Sequence, residues 1–450
     1  AYEFLRENKG TETILQVEEM AQPSNFAYYY DKTKKMTLLR QLSAAGFDIS
    51  EWYIADVLDF EKRESLNYKL EKASLQEILN SFQLKLIDLE GEFVNKENFL
   101  FESVGEGLGD LLESLKQAPE HGFRMEGEMM TTMARGARPS KVYMISAPSG
   151  VGKSRLLLSN AAKMSIPYQY DWYFQKWKHT GSSHKILFIT TELEVEEVQT
   201  MLLANISGIN EEHILNGGIN LSPKQERVLQ ETIKIIEYYS DNLYIYHMPD
   251  PNIEQLNNNV RRLVMTQGFE AVIFDYIHIS PTLLGQFRGT GVREDSALLM
   301  MSTALKNLAN ELDIFIFTAT QVNASAQQSK REDDAEFGSE GMVRGARAIS
   351  DKVDFAGIMR PVTGPLKDQV MPIISQQGRE PNAYIDIYKN RRGKYTQVRL
   401  WIDADLGTCR FTDCFLTDEY NQLQEMKHLL FIEEEVEPLE SILGGADGDE

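Results

Sequence analysis

The stretch Ala147-Pro148-Ser149-Gly150-Val151-Gly152-Lys153-Ser154 constrains this chain more than any other feature, because few folds can present such a loop. It follows a short apolar run, Val142–Ser146, and opens a segment with helical spacing. A tight turn placed there aims backbone N–H groups and a helix N-terminus at an anion. Gly150 and Gly152 let the backbone close on phosphates, with Ser149 and Val151 completing the cradle. Lys153 is expected to bind the β- and γ-phosphates, and the Ser154 hydroxyl to ligate Mg²⁺. The expected ligand is therefore ATP with Mg²⁺. Ala147 stands where the first glycine of the pattern usually falls, which weakens the bare pattern slightly.

The flanking sequence reads as an α/β domain with a predominantly parallel sheet. Candidate strands are Val142–Ser146, Ile186–Thr190, Leu243–Tyr246, Ala271–Phe274 and Ile314–Thr318. They alternate with helical stretches near 153–165, 194–206, 222–239, 253–266 and 294–312, the order that builds a parallel sheet. Two later strands, about 384–388 and 396–402, flank Lys389-Asn390-Arg391-Arg392-Gly393-Lys394 like a hairpin. Before this domain, residues 1–65 read as an all-α region. Residues 66–120 read as a linker helix and connector, in which Leu75, Ile78, Leu79, Phe82, Leu86 and Leu89 form an apolar stripe at helical spacing. That stripe needs a partner, within the chain or on a neighbouring subunit. The motor domain is expected over 121–415, with an acidic tail over 416–450. The tail reads as solvated and disordered, or as a partner-binding segment.

Hydrolysis needs more than a phosphate cradle. Asp275 ends the apolar run Ala271–Phe274, where a carboxylate emerges at the sheet edge beside the phosphates and can hold the metal. Glu192 ends the run Ile186–Thr191 on the same edge and is the candidate general base. Glu194 competes for that role, although a charge in the first turn of the next helix suits it better. Gln321 follows the run Ile314–Ala319, where an amide can sense the γ-phosphate.

Bulk properties bound the partners. The chain carries 46 basic and 68 acidic residues, a net charge of −22, which argues against general affinity for nucleic-acid phosphates. Any DNA-binding surface must be local, a loop or a channel. No apolar run approaches the roughly 18–20 residues needed to span a bilayer, and the opening residues lack a signal-peptide layout. A cytoplasmic protein with no membrane partner is expected. Cys409 and Cys414 could pair, but buried thiols in a reducing compartment fit better.

Four stretches together resemble the DnaB-type replicative helicases, a RecA-like family: Ala147–Ser154, Ile186–Glu194, Val272-Ile273-Phe274-Asp275-Tyr276 and Thr320-Gln321-Val322-Asn323. Ala at the first loop position is usual in that family. The likeness covers about residues 120–412 well and residues 30–100 loosely. It implies that Glu192 is the catalytic glutamate and Gln321 the γ-phosphate sensor. It also implies a Lys-x-Arg pair that completes a neighbouring subunit's ATP site, at Lys389 and Arg391, with Arg392 a nearby competitor. A guanidinium there would neutralise charge developing on the transferred phosphoryl group. The resemblance further implies a phage-encoded homohexameric ring that travels 5′ to 3′ on single-stranded DNA and unwinds duplex at a fork, with a helicase loader and a primase as partners. The N-terminal region looks short beside the family's usual helical domain.

Contact with DNA is expected from the long polar stretch Ser325–Gly341 and the segment after it, where Arg344, Gly345 and Arg347 supply cations and close backbone approach. An aromatic insertion, Tyr168 to His184, has no counterpart in the resemblance. It reads as a packed surface elaboration or as a partner-docking site. A RecA-like recombination ATPase and a nucleotide-binding scaffold without unwinding activity are the competing functions.

Overall fold

The computed structural model describes residues 10, 25–54, 59–93, 104–105, 107–117, 121–217, 221–278, 294–322, 337–338, 349–391, 393–432 and 436–443, without the side chains of 87–93 and 294–296. The chain divides into two compact units, Ala1–Glu113 and Ser114–Glu450.

The first unit contains helices α1 (Phe26–Ala44), α2 (Phe60–Lys72) and α3 (Leu75–Phe93), and a further helix, α4 (Leu108–Gln117), crosses the boundary. Asp59 caps α2, its side chain accepting from the backbone N–H of Glu61 and Lys62. Part of the apolar stripe on α3 finds a partner within the chain: Ile78 and Phe82 bury against Leu39, Trp52 and Leu70, whereas Leu86 stays exposed. The Trp52 indole N–H donates to Ser81 at 2.9 Å, so the one large polar ring in this small core is satisfied.

In the second unit, a short helix α5 (Glu128–Ala134) precedes strand β1 (Val142–Ala147) and helix α6 (Lys153–Ser165). A small hairpin follows, β2 (Tyr168–Asp171) and β3 (Lys176–His179). Then come β4 (Ile186–Thr190), α7 (Val195–Ser207), α8 (Glu211–Leu215), α9 (Pro223–Tyr238), β5 (Leu243–His247), α10 (Ile253–Gln267) and β6 (Ala271–Ile277). The unit continues through α11 (Glu294–Glu311), β7 (Phe315–Gln321), β8 (Phe355–Pro361), α12 (Gly364–Gln377), β9 (Ala383–Asn390), β10 (Val398–Asp405), β11 (Arg410–Asp418), β12 (Leu423–Gln424) and α13 (Leu439–Leu443).

The sheet order is β12-β11-β10-β9-β8-β1-β7-β6-β4-β5. The six strands from β8 to β5 are parallel to their neighbours, and the others add antiparallel on one side. Central strands such as β1 and β4 are buried along their whole length, as apolar runs covered on both faces must be. Their side chains alternate between two cores. Tyr143, Ile145, Phe188, Ile273 and Phe317 pack on one face with Leu157 and Ala161 of α6. Val142, Met144, Leu187, Val272 and Ile316 pack on the other with Leu256 and Val260 of α10 and Leu305 of α11. Local signals start the helices: Ser222 with Gln225, and Asn252 with Gln255, form capping boxes at α9 and α10.

The aromatic insertion is the β2–β3 hairpin. Most of its rings are anchored: the Trp172 indole donates to the Ser207 carbonyl at 2.9 Å, and the Trp177 indole to Glu231 at 2.8 Å. Tyr173 and Phe174, at its turn, stand exposed. The acidic tail is not wholly solvated. Val436, Leu439, Ile442 and Leu443 pack against a core made by Tyr168, Leu202, Ile206, Ile235 and Tyr239, and the Tyr168 hydroxyl donates to the Glu437 carbonyl. Every fourth or third residue of this stretch is apolar, enough to bury one face despite the surrounding acids. Among the described residues, no helix is long and apolar enough to cross a membrane.

Candidate nucleotide site

The loop after β1 turns into α6 through two residues with positive φ, Gly150 at 78° and Gly152 at 103°. A side chain at Gly152 would also meet Leu406, which reaches over the loop from the β10–β11 turn. Arg155 fixes that turn: its guanidinium donates to the Leu406 carbonyl at 2.7 Å and to Glu211 at 2.6 Å. The outcome is a cleft of 240 Å³ lined by Ser149, Gly150, Gly152, Lys153, Ser154, Glu192, Tyr276 and Gln321.

Parallel pairing delivers the other groups to the same edge. In register, Thr190 lies beside Asp275 and Ala147 beside Gln321. The turn after β4 is pinned twice: Leu193 N–H donates to the Thr190 hydroxyl at 2.8 Å, and Thr191 N–H to the Asp275 carbonyl at 3.0 Å. Glu192 is thereby held over the cleft. Glu194 instead becomes the N-cap residue of α7, its N–H bonded to Glu197 at 2.9 Å.

Asp275 is buried, and burial pushes its carboxyl up to about 6 against the opposing pull of the Ser154 hydroxyl and the Lys153 ammonium. Its Oδ1 finds no hydrogen-bond partner among the described residues. Lys153 is buried as well, and desolvation holds its ammonium below the ordinary lysine value. A buried anion with an orphaned oxygen beside a desolvated cation is costly unless further charge enters. A phosphate-bound divalent cation fits both: one carboxylate and one hydroxyl from the protein is the oxygen set that Mg²⁺ uses when phosphates and water supply the rest.

Tyr276 lies in the Val272–Tyr276 stretch with no chemical signal of its own in the sequence, yet it occupies the centre of the cleft. Its hydroxyl donates to Glu192 Oε1 at 2.9 Å and accepts from Gln321 Nε2 at 2.9 Å. Lys153 Nζ lies 4.5 Å from the ring centroid. A one-residue bulge in β6 against β7, between Phe274 and Ile277, shifts the pairing at this point. Burial and the adjacent Glu192 carboxylate both raise the Tyr276 phenol well above its ordinary value. Leu406 carries no sequence signal either, since it comes from a turn some 250 residues beyond the loop it covers.

Lys389 and Arg391 lie elsewhere. They sit at the end of β9, which pairs antiparallel to β8 with Phe355 opposite Asn390, while β8 runs parallel to β1 with Phe355 opposite Tyr143. Lys389 and Arg391 are therefore at the edge of the sheet where β1 begins, and the phosphate loop is at the edge where β1 ends. About 17 Å of strand separates the two edges. Lys389 donates to the Ser350 carbonyl. Arg391 donates to the Asp351 carbonyl at 2.7 Å, 3.6 Å from Asp354, and its side chain is 48% exposed. Arg344, Gly345, Arg347 and Arg392 lie outside the described residues. Cys409 and Cys414 are both free and buried, and burial pushes each thiol up to about 11.

Comparison with known proteins agrees with this architecture. The family model for the DnaB-like helicase C terminal domain matches residues 122–412. The SPbeta prophage-derived uncharacterized protein YorI of Bacillus subtilis (strain 168) is 33% identical over 435 residues, covering 95% of this chain and 84% of that protein. A solved structure described as an ATPase domain shares the fold with a TM-score of 0.54 at 17% identity, covering 69% of this chain and 98% of that one. A structure described as a DnaB-like replicative helicase and its interactions with primase aligns with a TM-score of 0.52 at 14% identity, covering 80% of each chain. A RecA-like motor with its phosphate loop, two carboxylates and a glutamine at one sheet edge, matched by that family model over most of its length, places this chain in the DnaB-like helicase family, whose members are ATP-dependent helicases of DNA replication.

Proposed function

We propose that this chain is a replicative DNA helicase of a phage or prophage, working as a homohexameric ring that travels 5′ to 3′ on single-stranded DNA. The observation that carries the reading is the division of the ATP machinery between opposite edges of one sheet. Lys153, Ser154, Glu192 and Gln321 line one cleft, with Asp275 buried beside Ser154, while Lys389 and Arg391 stand a strand's length away. Neither basic residue can reach its own phosphate loop without dismantling β9. In this reading both serve the cleft of a second copy packed against that edge, an arrangement that makes a ring if the rotation closes.

In this reading Ser149, Gly150, Val151 and Gly152 offer backbone N–H groups to the phosphates, and Lys153 neutralises the β/γ oxygens. Ser154 and Asp275 would hold Mg²⁺, which when bound draws charge from the phosphate oxygens and orients them. Glu192 takes a proton from the attacking water, Gln321 reads the γ-phosphate, and Arg391 of a neighbour, backed by Lys389, stabilises the transferred group. The exposure of Leu108, Leu111, Leu112 and Leu115 on α4 also favours assembly, since such an apolar face usually marks an interface. Arg344, Gly345 and Arg347 are proposed to contact DNA, and a loader and a primase are proposed as partners. The primase proposal draws support from the structural neighbour described together with one.

The test is ATP turnover with and without single-stranded DNA, combined with strand displacement from forks carrying either a 5′ or a 3′ tail. Turnover should rise on DNA, fall at least about a hundredfold in Glu192→Gln, and support displacement only from the 5′-tailed side. Undiminished turnover in Glu192→Gln would remove the base assignment, and turnover without displacement would favour a recombination ATPase.

A further inference from the structure

We infer that Tyr276 is a positioning residue that holds Glu192 in reserve, linking the γ-phosphate sensor to the general base through a single hydroxyl. The inference rests on the roles proposed above for Glu192 and Gln321. Three contacts hold the tyrosine: its O–H donates to Glu192 Oε1, Gln321 Nε2 donates to its oxygen, and Lys153 lies over its ring. A carboxylate oxygen that accepts a hydrogen bond from a phenol is a poorer proton acceptor for water, because the bond stabilises the charged form it must give up. Two of the three contacts involve groups that a nucleotide would recruit. Lys153 is drawn to phosphate oxygens and Gln321 to the γ-phosphate, and each withdrawal loosens the tyrosine's hold on Glu192.

Gln321 also ends β7, and the chain runs from Val322 directly into the polar stretch expected to meet DNA. A shift of that strand end is therefore transmitted to Gln321, from Gln321 to the Tyr276 oxygen, and from the hydroxyl to Glu192. The β6 bulge is what places the ring here, since it lets residues 275 and 276 depart from the regular pairing with β7. Tyr276 also belongs to the buried core of the domain through its ring, so removing only the hydroxyl leaves the packing in place.

The experiment is Tyr276→Phe in the full chain, with ATP and Mg²⁺ and a homopolymer single-stranded DNA oligonucleotide. Turnover without DNA should rise by roughly tenfold, the size of one hydrogen bond to a charged group, with the DNA-stimulated rate and the KM for ATP little changed. The stimulation ratio then falls towards one. A merely structural role would lower both rates together and leave the ratio alone. An unchanged ratio, or a ratio that falls only because the stimulated rate drops, overturns the link. Glu192→Gln in the same series tests the base separately: full turnover there defeats the base assignment, whereas lost turnover there with an unchanged ratio in Tyr276→Phe defeats only the link.

Discussion

Asp275 binds a proton in the folded chain over a pH range where the unfolded chain does not, because burial raises its carboxyl from 3.8 to about 6. Below about pH 4 both states are protonated and the residue is neutral towards stability. As pH rises through 6 the folded state must ionise it at a cost, so the stability it permits at low pH is lost and a constant penalty remains above. Two units correspond to at most about 3 kcal/mol. Asp275→Asn should therefore abolish turnover yet stabilise the nucleotide-free protein at pH 8 by about 1–3 kcal/mol, with no gain at pH 4. Urea unfolding of both proteins at the two pH values measures this, and equal stability at pH 8 would refute it. Sequence position alone points to Asp275 and Glu192, since an acid after a fully apolar strand emerges at the phosphate edge. Tyr276 is not legible in the same way. An alternating strand would turn a residue after Asp275 away from it, and only the bulge against β7 explains its place.

At the scale of elements, β9 and β10 are joined by a buried ionic cluster that also fastens residues 337–338. Asp386 accepts from Arg399 Nε at 2.7 Å, from Arg360 Nη2 at 2.6 Å and from the Gly338 N–H at 2.8 Å. Asp386 and Arg399 are both fully buried. Removing the carboxylate strands two guanidinium groups in a low-dielectric core, so Asp386→Ala should cost about 3–5 kcal/mol. The readout is the urea midpoint at constant slope, and a loss below about 1 kcal/mol, the scale of an exposed pair, would count against it. Nothing in the local sequence announces this cluster, because its members come from four separate segments. Four central strands, β1, β4, β6 and β7, are legible for the opposite reason. Strands such as Ile186–Thr190 and Ala271–Phe274 are buried on both faces, which forces an unbroken apolar run that a half-exposed strand does not show. β8 (Phe355–Pro361) and β11 (Arg410–Asp418) mix glycine, arginine and acids into their runs and give no such signal. The β2–β3 hairpin is legible as aromatic but not as a hairpin, since its turn, Trp172-Tyr173-Phe174-Gln175, lacks the Asn-Gly type of signal.

For the whole molecule, the placement of Arg391 determines what one chain can do alone. Its guanidinium is engaged within its own chain by the Asp351 carbonyl and Asp354, at the edge remote from its own Lys153. If it completes a neighbour's cleft, two inactive variants can repair one another. A Lys153→Ala subunit keeps a good Arg391 but has no working cleft, and an Arg391→Ala subunit keeps the cleft but offers no arginine. Each alone should fall at least about a hundredfold in turnover, the scale seen when a transferred-charge arginine is lost. In rings assembled from equal amounts, about a quarter of the interfaces place an intact cleft against an intact arginine. Turnover should then return, up to about that fraction of wild type if sites fire independently. If Arg391 acted within its own chain, every subunit in the mixture would carry one fatal defect and no interface could be whole. Mixed rings verified by native mass spectrometry but showing no recovered turnover would therefore count against sharing across the interface. Recovery that persists on single-stranded DNA would make the assembled ring, and not the single chain, the unit that hydrolyses ATP.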